Sequence, residues 1–198
     1  KDELVDGTFA ALDGTKRTVP MMYSTERQYL DDGKVTGFIK PYKNGYSFVA
    51  LLPNENISLS DYVASMSGKS FIDTIKNAKD VRVKAAIPKF SYDYDIEISG
   101  ALKALGMPLP FDAAKADFSA LGSSDRGNIF ISRVLHKAYI AVDEKGTKAG
   151  AATAVETKET ALVDGSYKVT LDRPFVYAVT DDANGLPIFI GTVTDIGK

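Results

Sequence analysis

The 198 residues include 24 basic and 26 acidic side chains, one histidine and no cysteine, and 44% of them are hydrophobic; this is a globular chain long enough for one domain or two small ones. Lack of cysteine excludes disulfides, thiol catalysis and cysteine-based metal sites, and a net charge of −2 from scattered Lys and Arg gives a phosphate backbone nothing to grip, so nucleic acid is not an expected partner. No apolar run approaches the roughly 18 residues of a membrane span, no signal peptide is recognisable, and the opening "KDEL" stands at the wrong end to be a retention address.

Turn dipeptides punctuate the chain at Asp13-Gly14, Asp32-Gly33, Asn44-Gly45, Asp164-Gly165 and Asn184-Gly185, with β-prone runs between them. "KRTVPMM" (16–22) reads as a strand. "GFIKPYKNGYSFVALLP" (37–53) reads as a hairpin closed by a type I′ turn at Asn44-Gly45. A short helix is expected at "SDYVASM" (60–66). Another should open at Ser70, with Asp73 three residues on as its capping-box partner. "DIEISGALKALGM" (95–107) places Ile98, Leu102 and Leu105 on one helical face, with Gly106 as the stop.

Two long strands flank that helix. In "VRVKAAIPKFSY" (81–92), Val81, Val83, Ala85 and Ile87 alternate with Arg82 and Lys84. "NIFISRVLHKAYIAVDE" (128–144) carries Phe130, Ser132, Val134, His136, Ala138, Ile140 and Val142 on one face, the pattern of a central strand in a large sheet. "YKVTLDRPFVYAVTDD" (167–182) and "LPIFIGTVTD" (186–195) complete the strand inventory.

Enzyme signatures are missing. "SGKS" (67–70) lacks the glycine that a phosphate loop needs, because Val63 stands there. There is no nucleophile elbow, no H-E-x-x-H and no dinucleotide fingerprint. Any triad or His-based metal site would hang on His136 alone. On the apolar face of a strand, His136 reads as a buried, hydrogen-bonded histidine. No metal site, catalytic residue or cofactor follows from the sequence.

One segment resists these categories. In "GTKAGAATAVETK" (146–158), odd positions from 147 to 157 carry Thr147, Ala149, Ala151, Thr153, Val155 and Thr157. Every charge in that window, Lys148, Glu156 and Lys158, is even. That is the two-residue period of a strand with one dry and one wet face. The segment reads as a loop competent to become a strand, and the sequence leaves open which of the two it is.

"VPMM" (19–22), "IPKFSYDYD" (87–95), "LKALGMPLPF" (102–111), "ADFSAL" (116–121), "HKAYIAVDEKGTKAGAAT" (136–153) and "LDRPFVYAVTDDANGLPIFIGTV" (171–193) together resemble the C-terminal signatures of the serpins, in family order across the chain. The resemblance implies an α+β fold, mostly antiparallel β, with parts of sheets A, B and C and a few short helices. Residues 1–198 would be the C-terminal half of a single domain, with a reactive centre loop at about 145–170. Residues 81–92 and 128–144 are expected in sheet A, and 33–53 with 172–194 in a small barrel-like part.

It implies a function too: a suicide-substrate inhibitor of serine proteases, with the cysteine class as the alternative target. Glu144, Gly146, Thr147, Ala149, Ala151 and Thr153 match the loop hinge, and His136 matches the histidine of a shutter cluster. Counting along the loop places the reactive bond at Thr160–Ala161; extra loop length keeps Lys158 and Leu162 as alternatives. The rival is a non-inhibitory serpin acting as a binding or chaperone module, which bulky or charged hinge residues would favour. Expected partners are a target protease and either the family's N-terminal half or a second copy of this chain. An extracellular or cell-surface location is expected.

Overall fold

The computed structural model describes residues 4–144 and 167–196, and the backbone of 146–147. They fall into two compact units, Lys1–Ser91 with Ala141–Lys198, and Tyr92–Ile140.

The first unit is built on an eight-stranded sheet. Strands β1 (Leu4–Ala10), β2 (Lys16–Asp31), β3 (Val35–Pro41), β4 (Tyr46–Pro53) and β5 (Lys79–Pro88) come from its N-terminal part, and β9 (Tyr167–Thr170), β10 (Phe175–Asp181) and β11 (Pro187–Val193) from its C-terminal part. The order is β11-β10-β4-β3-β2-β5-β9, with β1 on β2. All its pairings are antiparallel except β5 with β9. The expected barrel-like region, 33–53 with 172–194, is one end of this open sheet.

Strand β2 holds the sheet together. Residues 16–22 pair β1, residues 28–31 pair β3, and 21–29 pair β5 through a bulge between Glu26 and Gln28. At this change of partners Glu26 is buried, where it accepts hydrogen bonds from Lys40 Nζ at 2.8 Å and Ser24 Oγ at 2.6 Å.

β4 and β10 are buried along almost their whole length, so both faces of the sheet must be covered. Alternation sends Val49, Leu51, Val176 and Ala178 to one face. There they pack with Leu59 and Tyr62 of α1 (Leu59–Ser65) and Phe71 of α2 (Gly68–Lys76). Phe48, Phe175 and Tyr177 go to the other, where Phe175 meets Phe9 edge-on at 6.5 Å and Phe90 at 6.0 Å. Each buried aromatic stabilises the fold by about 1.5–3 kcal/mol.

Local chemistry sets the helix starts. Ser58 caps α1, its Oγ accepting from Asp61 N at 3.1 Å. The capping box of α2 lies at Ser67 and Ser70, not at the expected Ser70 and Asp73. Ser70 Oγ accepts from Ser67 N at 2.8 Å while Ser67 Oγ accepts from Ser70 N at 3.1 Å. This reciprocal pair starts the helix a turn early and leaves Asp73 to pair with Lys69. Asn44-Gly45 closes the β3–β4 hairpin, but not as the expected type I′ turn. Tyr42 N donates to Tyr46 O at 2.7 Å and Gly45 has φ 78°, which is a three-residue loop with glycine in the left-handed position.

The expected sheet A strand at 81–92 is divided between two sheets. Residues up to Pro88 pair β2 and β9. After Lys89, β6 (Phe90–Glu97) joins a three-stranded sheet in the order β6-β7-β8, with β7 (Leu135–Asp143) and β8 (Gly146–Thr147). The other expected strand, 128–144, becomes regular only at Leu135. It is central to this small sheet, not to the large one.

The second unit holds α3 (Ser99–Ala104) and a 3-10 turn at Leu109–Phe111. Gly106, with φ 100°, stops α3 as expected. The expected apolar face is covered only in part: Ile98 and Leu102 are half-buried, while Leu105 is 84% exposed. Phe111 and Ala116 are buried, but Tyr94, Leu109, Leu121, Phe130, Leu135 and Tyr139 are exposed. This unit presents far more apolar surface than it covers.

Candidate functional site

The segment singled out in the sequence leaves β7 and enters β9, and both ends are structurally defined. At the first end, β7 finishes at Asp143 and the chain turns at Glu144. Gly146 then lies opposite Asp143 and Thr147 opposite Val142, antiparallel. Val142 is 4% exposed. The segment thus begins as a strand on the edge of β7, and Thr147 holds the register position opposite a core residue.

Glu144 is held at the turn by Lys89, whose Nζ donates to Glu144 Oε2 at 2.9 Å. This hydrogen bond raises the pKa of the Lys89 ammonium above its ordinary value. Lys89 is itself fixed where the chain changes sheets, its backbone N–H donating to Pro20 O at 2.9 Å. Sequence reasoning missed Lys89. Its only signal was being the one cation in "IPKFSYDYD".

At the other end, Tyr167 opens β9. This four-residue edge strand runs parallel to β5, with Val83 opposite Tyr167, Lys84 opposite Lys168 and Ala85 opposite Val169. The Tyr167 ring stacks on Tyr29 of β2, centroids 4.1 Å apart, and Lys79 Nζ lies 5.7 Å from the Tyr29 centroid. Burial raises the pKa of Tyr29. Val169 and Leu171, buried, peg the strand to the core.

Both ends are therefore pegged at buried positions, Val142 on β7 and Val169 on β9. Ala149, Ala151 and Thr153 of the hinge lie outside the described residues. So do Thr160 and Ala161 of the expected reactive bond, and Lys158 and Leu162.

His136 departs from expectation. It lies on β7 but is exposed, not buried. β7 is buried only over Ile140, Ala141 and Val142, and no described residue of the second unit covers the strand near His136. Among the described residues, no group of three or more His, Cys, Asp or Glu side chains could hold a metal ion.

Residues 1–196 match the family model described as "Serpin (serine protease inhibitor)". Serpin-ZX of Arabidopsis thaliana is 34% identical over 96% of this chain and 51% of its own length. Among solved structures, the thermophilic serpin Tengpin in its native state is 47% identical with a TM-score of 0.88, over 98% of this chain and 50% of that one. A thyroxine-binding globulin in complex with thyroxine has a TM-score of 0.79 at 23% identity, covering 98% of this chain and 51% of that one, which is a likeness of fold. The chain spans about half the length of the curated relatives it matches. Its mostly antiparallel strands and few short helices are a portion of the serpin fold, and the chain belongs to the serpin family.

Proposed function

We propose that this chain is the C-terminal part of a single inhibitory domain that acts on proteases as a suicide substrate. The carrying observation is the register of Gly146 and Thr147 on β7: the hinge already lies along the strand beside which the rest of the segment would insert. In the sequence, small, uncharged odd positions carry the same two-residue alternation on to Thr157.

In the proposed reaction the nucleophile of a serine protease attacks the carbonyl of Thr160, or of Lys158 or Leu162, and the amine of the next residue leaves. The cut loop then adds strand residues alongside β7. Each residue exchanges solvated backbone groups for ladder hydrogen bonds, and each odd position leaves water. The acylated protease is carried with the loop, and hydrolysis of the ester stalls. The chain is the consumed reactant, not a catalyst.

The test is a denaturing gel of the full-length protein incubated with a panel of serine proteases. An SDS-stable band at the summed mass supports the reading. Cleavage of the loop without such a band, across the panel, favours the binding or chaperone module instead.

We further propose that this chain is stable only against the other half of the fold or a second copy of itself. Leu105, Leu109 and Leu121 are exposed, and exposed apolar side chains that gather into a patch favour association. Sedimentation should show 21.4 kDa chains self-associating, and a monomer that resists dilution would contradict this.

A further inference from the structure

We infer that the solvent face of β2, β5 and β9 is an electropositive docking surface for an acidic face of the protease engaged on the loop. This rests on the inhibitor reading above. The parallel register sets Lys84 of β5 directly opposite Lys168 of β9, while the antiparallel one sets Thr25 of β2 against Lys84. Directly opposite residues share a face, and like charges so placed destabilise the pair. Asp80 and Arg82 lie along the same face of β5 as Lys84, and Asp80 is ion-paired at 3.6 Å with Arg27 of β2, both highly exposed. Lys84, Lys168, Arg82 and Arg27 are all exposed. Among the described residues neither Lys84 nor Lys168 has an ion-pair partner, so the stripe keeps a net positive charge in a chain of net charge −2.

Ordinary explanations do not cover this arrangement. The opposite face of the same strands is core, with Val83, Ala85 and Val169 buried, so the cations are not left over from a sheet exposed on both sides. Lysines on an edge strand can guard against edge-to-edge pairing, and Lys168 alone would serve for that. Lys84 carries the charge inward, on a strand that has neighbours on both sides.

The position of the stripe selects its partner. Lys168 is the second residue of β9, eight residues beyond Thr160. At about 3.5 Å per residue, an extended chain keeps a protease seated at that bond within about 28 Å of it. A protease domain of some 200 residues has a radius of gyration near 17 Å and hence a diameter above 40 Å. A body of that size on that tether reaches this sheet. Charge placed there steers encounter with an acidic surface and is screened by salt.

The experiment compares full-length wild type with Lys84→Glu/Lys168→Glu and Lys84→Arg/Lys168→Arg. It uses two serine proteases that cut the same bond, one acidic and one basic near its active site. The expected result is about a tenfold loss in association rate of the Glu variant with the acidic protease, reduced at high salt. The Arg variant keeps the wild-type rate, and the moles of inhibitor consumed per mole of protease stay unchanged. If wild type forms no covalent complex, the inhibitor reading fails on its own, and the same comparison is made on the rate of loop cleavage. Equal effects on both proteases, or none, overturn the docking surface. So does a variant that loses retention on a sulfated-polysaccharide column while its rates with protease stay unchanged, which would assign the stripe to polyanions.

Discussion

On the proposed inhibitor reading, Thr147→Arg in the full-length protein is expected to turn an inhibitor into a substrate. Position 147 faces buried Val142 across the β7–β8 register, and a guanidinium brought there without a partner costs several kcal/mol even after relaxation. Each 1.4 kcal/mol or so is tenfold in rate, so insertion should slow by about a hundredfold while deacylation of the protease continues. The cut inhibitor then falls away from an active enzyme. The moles consumed per mole of protease silenced should rise about tenfold or more. Lys148→Glu, at an even position of the same period, should leave that ratio nearly unchanged. If the two variants behave alike, the alternation in 147–157 does not describe an inserting strand.

Gly37→Ala should be the most damaging small substitution in the large sheet. Gly37 lies inside β3, opposite Leu51 of β4 and Leu30 of β2. A Cβ there would run into the backbone carbonyl oxygen of Ala50 and come within 3.2 Å of Leu51 Cδ2. A side chain could rotate away, but a ladder carbonyl can move only with its strand. The expected cost is about 3 kcal/mol, or a fall of roughly 6–12 °C in Tm at this chain length. Gly100→Ala, in α3 with nothing within 4 Å of the added methyl, is the control and should be neutral or stabilising by up to about 1 kcal/mol. Thermal unfolding of both variants measures the difference. Similar shifts would mean that the sheet yields at Gly37.

Strands bounded by turn dipeptides were legible in the sequence because Gly14, Gly33, Gly45 and Gly185 all occupy positive φ, which a turn demands and other residues resist. Partner choice was not legible. Alternation reports which face of a strand is dry, not which sheet it joins, so nothing in "AAIPKFSY" marks the passage from one sheet to another at Lys89. The same limit hid the extent of β2: only residues 16–22 were read as a strand, whereas all sixteen residues, Lys16–Asp31, form one that serves three neighbours. His136 failed for a related reason. Apolar neighbours in sequence say that a strand expects cover, and the described residues supply that cover only near Ile140. For the loop, the alternation that begins at Thr147 was legible, but the ion pair at Glu144 links residues 55 apart in sequence, a separation at which pattern carries no information.

The place of β10 has a consequence for a molecule cut in its loop. A break at Thr160–Ala161, or at either alternative, would leave β9, β10 and β11 on a short C-terminal peptide with no covalent tie to the rest. β10 lies between β4 and β11 in the large sheet, hydrogen-bonded to β4 from Val176 to Asp181 and buried almost throughout. Phe175, at its start, is wedged between Phe9 and Phe90. Such a peptide can leave only if the hydrophobic interior is opened. A nicked molecule should therefore run as one peak under native chromatography and two bands under denaturing conditions, its two unequal pieces parting only on global unfolding.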